Sequence, residues 1–277
     1  MSTASVSTHA TSRQPRAHGA VTLAVKASER KTCLKDLRQS GSLKALFPRA
    51  TGPDFQAVLV NTAGGITGGD TVKINARADA GSHLTLTTQA AERAYRAQPG
   101  QVGHLQTRLA VEAGARVNWL PQETILFQGC ALRRSLHVEM QADATFLMVE
   151  PLVFGRAAMG ETLTDASFSD RIEIHREGQL SYFDRVTLQG NIASQMARPN
   201  TGNGAGAMAS LIYAAADAGA QLAPVRAMLP DTAGASLIGD DLLVLRLLAP
   251  DSYLVRQSLI PVLNRLTNDN LPRCWMT

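Results

Sequence analysis

The chain has 277 residues, of which 45% are apolar, 18% charged and only 5% aromatic. That composition excludes a disordered chain and a disulfide-stapled miniprotein, and it suffices for one large core or two small ones. The net charge of +4 points at first to a polyanionic partner, but it is unevenly placed. Residues 1–50 carry nine Lys/Arg against two acids, Glu29 and Asp36, whereas the rest carries eighteen basic and twenty-one acidic side chains. The basicity belongs to the N-terminal fifth; the body is mildly acidic.

Residues 1–19 are rich in Ser, Thr and Ala and hold neither an acid nor an apolar run. They lack the h-region of a secretory signal and read as a disordered tail. A single domain is expected over 20–277, with a β body over about 20–200 and a helix-containing part over about 201–277. It opens where Val21, Leu23 and Val25 alternate as strand residues do. Short alternating runs continue through Val72-Lys73-Ile74, Leu84-Thr85-Leu86 and Arg171 to His175. They are separated by a weakly repeated turn at Gly81, Gly114, Asp143 and Gly178, spaced by 33, 29 and 35 residues.

Recurrence near 30 residues is the mark of stacked units sharing one core. The fold class read from it is mainly β: a β-helix-like or stacked-strand body with a few C-terminal α-helices packed on it. Each unit reads as strand, tight turn, strand, with Gly or Asp supplying the left-handed turn conformation. Hairpins of an ordinary all-β protein give a similar pattern. Toward the C-terminus, Ala205–Ala220 reads as an Ala-rich helix ended by Gly219 and Pro224. Residues 241–248 read as a buried strand, and Tyr253–Leu266 as an amphipathic helix that Pro261 is placed to kink. No segment is long and apolar enough to span a membrane; the longest run, Leu242–Ala249, is broken by Arg246.

Asn61–Asp70 is the densest glycine segment, with Gly64, Gly65, Gly68 and Gly69 following the apolar run Ala57–Val60. It lacks the Gly-Lys-Ser/Thr of a P-loop and reads as a tight loop that presents backbone groups and Asp70. Residues 202–207 fit a dinucleotide fingerprint only loosely and lack its βαβ setting; they read as a flexible lead into the following helix. No Gly-x-Ser-x-Gly elbow is present. Cys33, Cys130 and Cys274 are odd in number and far apart, which suggests a reducing, cytoplasmic setting and no zinc module.

His83, His104, His137 and His175 stand apart from one another in sequence. The pairs His137/Glu139 and His175/Glu177 each share a strand face and could hold a transition metal, although a solvated face gives the same pattern. No stable metal site is predicted from local spacing. Asp70, Glu123, Glu150 and Glu161 are the carboxylates available for acid–base or cation chemistry. Glu123 and Glu150 fall at similar offsets after their turns, which in a stack brings them close. The basic segment Lys26–Lys44 is a candidate docking face for an acidic partner, or simply a solvated face.

Taken as a set, several segments resemble the urease accessory protein family UreD, also called UreH. The glycine loop Asn61–Asp70 leads to Leu84-Thr85-Leu86-Thr87-Thr88-Gln89-Ala90-Ala91 and Ala94-Tyr95-Arg96. Trp119-Leu120-Pro121-Gln122-Glu123-Thr124-Ile125 follows, then Phe127-Gln128-Gly129, Arg133-Arg134 and Phe154-Gly155-Arg156-Ala157-Ala158-Met159-Gly160-Glu161. Leu242–Arg246 and Pro272–Thr277 close the chain. Gln128 departs from the aspartate expected there, which removes a carboxylate from that position.

The resemblance implies a non-enzymatic scaffold that binds UreF, the GTPase UreG through UreF, and urease apoprotein. A dimer within the accessory complex is one arrangement open to it. It further implies delivery of nickel to the carbamylated-lysine dinuclear site through an internal tunnel, with no tightly bound cofactor and only transient Ni2+. A passing ion wants weak, exchanging oxygen ligands, which nominates Asp70, Glu123 and Glu161 for the nickel path. Gly64, Gly65, Gly68, Gly69, Thr88, Gln89, Tyr95, Arg96 and Arg156 are the motif residues expected to serve partner binding or structure. Two rival readings are a carbohydrate-active hydrolase on a β-helix and a nucleic-acid binder using the basic N-terminal segment. The acidic body and the scarcity of aromatics argue against both, and neither nucleic acid nor a membrane is the expected partner.

Overall fold

The structure, a computed structural model, describes residues 14–29, 31–49, 52 and 54–276; residues 1–13 of the expected tail lie outside them. The alternation at Val21, Leu23 and Val25 is realised as β1 (His18–Ser28), which starts two residues before Ala20 and buries those three side chains. It forms a hairpin with β2 (Lys31–Gly41). The short β3 (Leu43–Leu46) then pairs antiparallel with β4 (Phe55–Asn61).

The chain next winds between two sheets. β5 (Thr71–Ala78) lies in the first sheet and β6 (His83–Thr88) in the second, and the short β7 (Glu92–Ala94) occupies a third side. The cycle repeats with β8 (Gly103–Val111), β9 (Arg116–Leu120) and β10 (Thr124–Leu126), then with β11 (Ala131–Met140) and β12 (Thr145–Phe154), and it reaches β13 (Ala166–Arg176). Strands on one side pair in parallel with their counterparts one coil away: β5 with β8, β8 with β11, β11 with β13, and β6 with β9, β9 with β12.

Leu84 pairs with Val117 and Val117 with Phe146, so the coil length equals the spacing of the turns at Gly81, Gly114 and Asp143. These turns are corners between sheets, stacked on one another by Gly81 N–H to Ala113 O (2.9 Å) and Arg116 N–H to Ser82 O (2.8 Å). The fourth turn is different. Glu177 and Gly178, both at positive φ, close a true antiparallel hairpin from β13 to β14 (Gln179–Gly190). Parallel strands thus follow one another without crossover helices because each coil supplies its own return path.

After β14 come α1 (Ile192–Met196), β15 (Ala207–Ala214), α2 (Ala218–Arg226), β16 (Ala233–Ile238), β17 (Leu242–Ala249) and α3 (Ser252–Thr267). The Ala-rich segment expected to be one helix over 205–220 is therefore a strand followed by a turn and the start of α2. β15 lies between β12 and β17 and is apolar on both faces. Met208 and Ile212 enter the core between the sheets, while Ala207, Ala209 and Leu211 enter a second core under the helices. Burial on both sides removes the alternation that marks a strand. Residues 202–206 lead into this strand, not into a helix, and Pro224 lies inside α2.

The expected strand at 241–248 is β17, and α3 runs unbroken through Pro261 with Asp251 capping its start (Oδ1 accepting Leu254 N–H, 2.8 Å). It packs on β12, β15 and β17. Among the described residues no helix is long and apolar enough to cross a membrane.

Candidate functional site

Inside the coils the inward positions form apolar ladders, such as Leu23–Ala76–Leu109–Val138–Ile174. One ladder breaks the rule. Val72 pairs with Leu105, Leu105 with Arg134 and Arg134 with Asp170, so two charges face the interior side by side. From the opposite sheet, Glu150 projects between Met148 and Leu152 into the same space.

Arg134 grips Asp170 with both arms of its guanidinium (3.0 and 2.7 Å) and reaches Thr124 Oγ1 at 3.3 Å. Glu150 Oε1 accepts the indole N–H of Trp119 at 2.9 Å. Its Oε2 lies 3.0 Å from Arg134 Nη2 but lacks hydrogen-bond geometry to any protein donor. Two buried carboxyls therefore share one guanidinium. Burial pushes Glu150 up to about 7, reinforced by the Asp170 charge and opposed by Arg134 and Trp119. Burial also works against the charge on Arg134, yet Asp170 and Glu150 together hold its pKa above the ordinary value.

These groups line a cavity of about 250 Å³ between the sheets, walled by Leu59, Val72, Ile74, Leu105 and Trp119 and reaching the exposed segment Gln89–Arg93. At the outer end stands Glu92, half-buried, whose carboxylate takes the Asn61 amide at 3.2 and 3.3 Å. Burial raises Glu92 to about 6, against the lowering effect of Asn61. One cavity thus carries two carboxyls raised toward neutrality, with Thr88 and Gln122 beside them. All are oxygen-bearing groups, and among the described residues no Cys or His lines the cavity.

Of the motif residues, Gly64, Thr88 and Gln89 line this cavity. The glycine loop is laid against β7 by Ile66 N–H to Arg93 O and Tyr95 N–H to Ile66 O, both 2.7 Å, and by Tyr95 O–H to Gly64 O at 3.2 Å. Gly65 is required by close approach: a Cβ there would sit 2.3 Å from Tyr95 Cε2 and 2.7 Å from Arg93 O. Gly68 is hemmed in likewise by Ala97 and Gln101, and Gly69 turns at positive φ beside Arg16. Arg96 forms an isolated bridge with Cys130.

The three carboxylates nominated from sequence stand elsewhere, each with its own partners. Asp70 accepts Ala17 N–H (2.8 Å) and Thr67 N–H (2.9 Å), and so pins the glycine loop to the start of β1. Glu123 holds Arg256 of α3 (3.0 Å), and that guanidinium also donates to the Cys274 and Trp275 carbonyls at 3.1 Å. Glu161 takes Arg156 through its backbone (3.0 Å) and guanidinium (2.8 and 3.0 Å), along with Gln128 N–H. Arg156 in turn lies 4.3 Å over the Phe127 ring, which meets Tyr95 edge-on at 5.0 Å. No hydrogen bond or ion pair among the described residues joins Glu123 to Glu150, because Glu123 faces α3 and Glu150 faces Arg134.

Glu92, Arg134 and Asp170 were not singled out as site residues from sequence. A signal for two of them is legible: Arg134 between Leu132 and Leu136, and Asp170 between Phe168 and Ile172, occupy inward positions of otherwise apolar alternations.

Comparison with known proteins gives a consistent picture. The family model described as UreD urease accessory protein matches residues 17–276. A urease accessory protein UreD of Ruegeria pomeroyi is 58% identical over 246 residues, covering 88% of this chain and 96% of that protein. The like-named protein of Roseobacter denitrificans is 50% identical over 263 residues, 95% of this chain and 96% of its own. That of Ruegeria sp. TM1040 is 52% identical over 275 residues, 96% and 92% respectively.

Proposed function

The chain belongs to the UreD family of urease accessory proteins, and from that premise we propose that it is a non-catalytic maturation scaffold that passes nickel toward urease through its own interior. In this reading it binds UreF, recruits the GTPase UreG through UreF, and meets urease apoprotein in the cytoplasm. The observation that carries the reading is the cavity between the sheets, with Glu92 at its outer end and Glu150 at its base. A divalent ion entering it displaces the protons that burial leaves on these carboxyls near neutral pH, and it finds only oxygen donors that release it again. The shared guanidinium of Arg134 keeps the site from accumulating enough negative charge to trap the ion.

Asp70, Glu123 and Glu161 serve the same path from outside it. They hold the glycine loop, the C-terminal helix and the Arg156 loop in the positions that shape the passage and its surroundings. Among the described residues Trp119 is the one aromatic ring lining the cavity, and it is only 2% exposed, which leaves little of the stacking surface a carbohydrate site would want.

The test is activation of urease in cells that express the complete accessory set, with Glu150→Gln and Glu92→Gln in this chain and co-purification of UreF measured alongside. The expected result is reduced activation with UreF binding intact. Full activation by the double variant overturns the interior path, and loss of UreF binding alone reassigns these residues to the interface.

A further inference from the structure

The outer face of the sheet containing β11 and β13 carries a second constellation, remote in chemistry from the buried carboxyls. Outward positions of the two strands pair His137 with Glu173 and Glu139 with His175. This places two imidazoles and two carboxylates in one block. The sequence pairs His175 with Glu177, but Glu177 belongs to the hairpin turn, and the partners of His175 come from the neighbouring strand instead. Donor atoms of His137, Glu173 and His175 all lie within 4.8 Å of one another, and the two rings are 5.0 Å apart between centroids.

The hydrogen bonding within the block is directional. His137 Nε2 lies 2.9 Å from Glu139 Oε1, a distance at which an Nε2–H donates to the carboxylate. Its Nδ1 lies 3.6 Å from Glu173 Oε2. That separation is close to the roughly 3.4 Å between ligand atoms about a tetrahedral ion with bonds of about 2.1 Å. The other oxygen of Glu173, Oε1, is engaged by Arg171. Glu139 stands where a carboxylate that orients a metal-bound imidazole stands.

We propose that His137 Nδ1, His175 and Glu173 Oε2 form a surface site for a divalent first-row transition metal such as Zn2+ or Ni2+, with Glu139 as the positioning residue and water completing the shell. Mixed imidazole and carboxylate donors select this class over Mg2+ or Ca2+. Arg108, paired with His137 on β8, and Arg171 place two cations at the border, so the ion is held in exchange with solvent. Leu180 and Phe183 of β14, opposite His175 and Glu173, flank the site with exposed apolar surface. The proposal stands on this geometry alone and does not require nickel to pass through the interior.

The experiment is calorimetric titration of the metal-free full-length chain, with its co-purifying accessory partner where needed, using ZnCl2 and NiCl2 separately. One equivalent is expected that His175→Ala and His137→Ala each weaken at least about tenfold, with Glu139→Gln weakening it to a similar degree. Glu150→Gln should leave this equivalent unchanged. With Cu2+ as a spectroscopic probe, two imidazole nitrogens should appear in the hyperfine pattern of the wild type and one in each histidine variant. Circular dichroism checks that these exposed-face variants fold. Identical isotherms for wild type and the double histidine variant, or no binding by either ion, overturn the site. Loss of the equivalent in Glu150→Gln assigns it to the interior and overturns the surface proposal equally.

Discussion

Trp119 and Glu150 meet in the interior, indole N–H to carboxylate oxygen at 2.9 Å, from adjacent strands β9 and β12. The bond satisfies one oxygen of a carboxyl that otherwise has only the shared Arg134 nearby. Its titration follows. Glu150 is raised from an ordinary value near 4.5 to about 7, so between those values the folded state holds a proton that the unfolded state has lost. This group therefore withdraws stability as pH rises from about 4.5 to about 7 and withdraws no more above that. Glu150→Gln removes the dependence. The melting temperature of wild type should gain on that of the variant as pH falls from 8 to 5; a constant difference across that range would reject the assignment.

Arg134 is the single cation for two buried carboxyls. Arg134→Met should cost about 3–5 kcal/mol in urea unfolding, because Asp170 and Glu150 are then left facing each other unpaired. The triple variant with Asp170→Asn and Glu150→Gln should recover much of that loss. A triple variant no more stable than Arg134→Met would show that packing, not charge, sets the cost.

Two neighbouring glycines, both at positive φ, differ in the space around them. Gly64 has φ +76° and open space where a methyl group would project, whereas Gly65 has the Tyr95 ring and the Arg93 carbonyl within 3 Å of that position. Gly64→Ala should cost about 1–2 kcal/mol for its left-handed backbone. Gly65→Ala should cost more and should also displace the Tyr95 ring, read as a change in its aromatic NMR shifts. Equal costs with unmoved Tyr95 signals would contradict the close packing.

Arg256 links Glu123, Gln122 and two carbonyls of the C-terminal turn, and it lies 5.1 Å from the Trp275 ring centre. Arg256→Ala should lower stability by about 2 kcal/mol. It should also speed amide exchange in α3 and around Trp275 before it does so in the coils. Uniform acceleration throughout the chain would mean that the helix does not open separately.

The stacked coils were legible because their corners need glycine or a short polar residue at nearly constant spacing, and the outer strands of each coil alternate. Gly81 and Gly114 marked two corners correctly. Gly178 looked like another corner but closes a hairpin, since a left-handed turn residue serves either geometry. β15 was unreadable as a strand for the opposite reason: between two cores every position of Ala207–Ala214 is apolar or small. The site was legible at Thr88, Gln89 and Gly64, which came with the motifs, and in part at Glu150. Asp70, Glu123 and Glu161 drew attention by charge, but charge alone does not tell a carboxylate that lines a cavity from one that ties loops together. That difference is set by which face of which strand the side chain leaves, and Arg134 and Asp170 showed it only as interruptions in apolar ladders.

The antiparallel strands at both ends of the coil stack have a further consequence. A parallel coil offers at each end an open ladder that another copy could extend in register, and nothing in the repeat itself limits its length. Here the β1–β2 and β13–β14 hairpins close the first sheet, while β3 and the β15–β17–β16 set close the second. The outermost strand β2 is largely exposed and carries Lys31, Lys35 and Arg38 beside Asp36, with Lys35 tied to Asp79 at the adjoining corner. The coil stack is thus bounded at each end by strands that do not continue its parallel repeat.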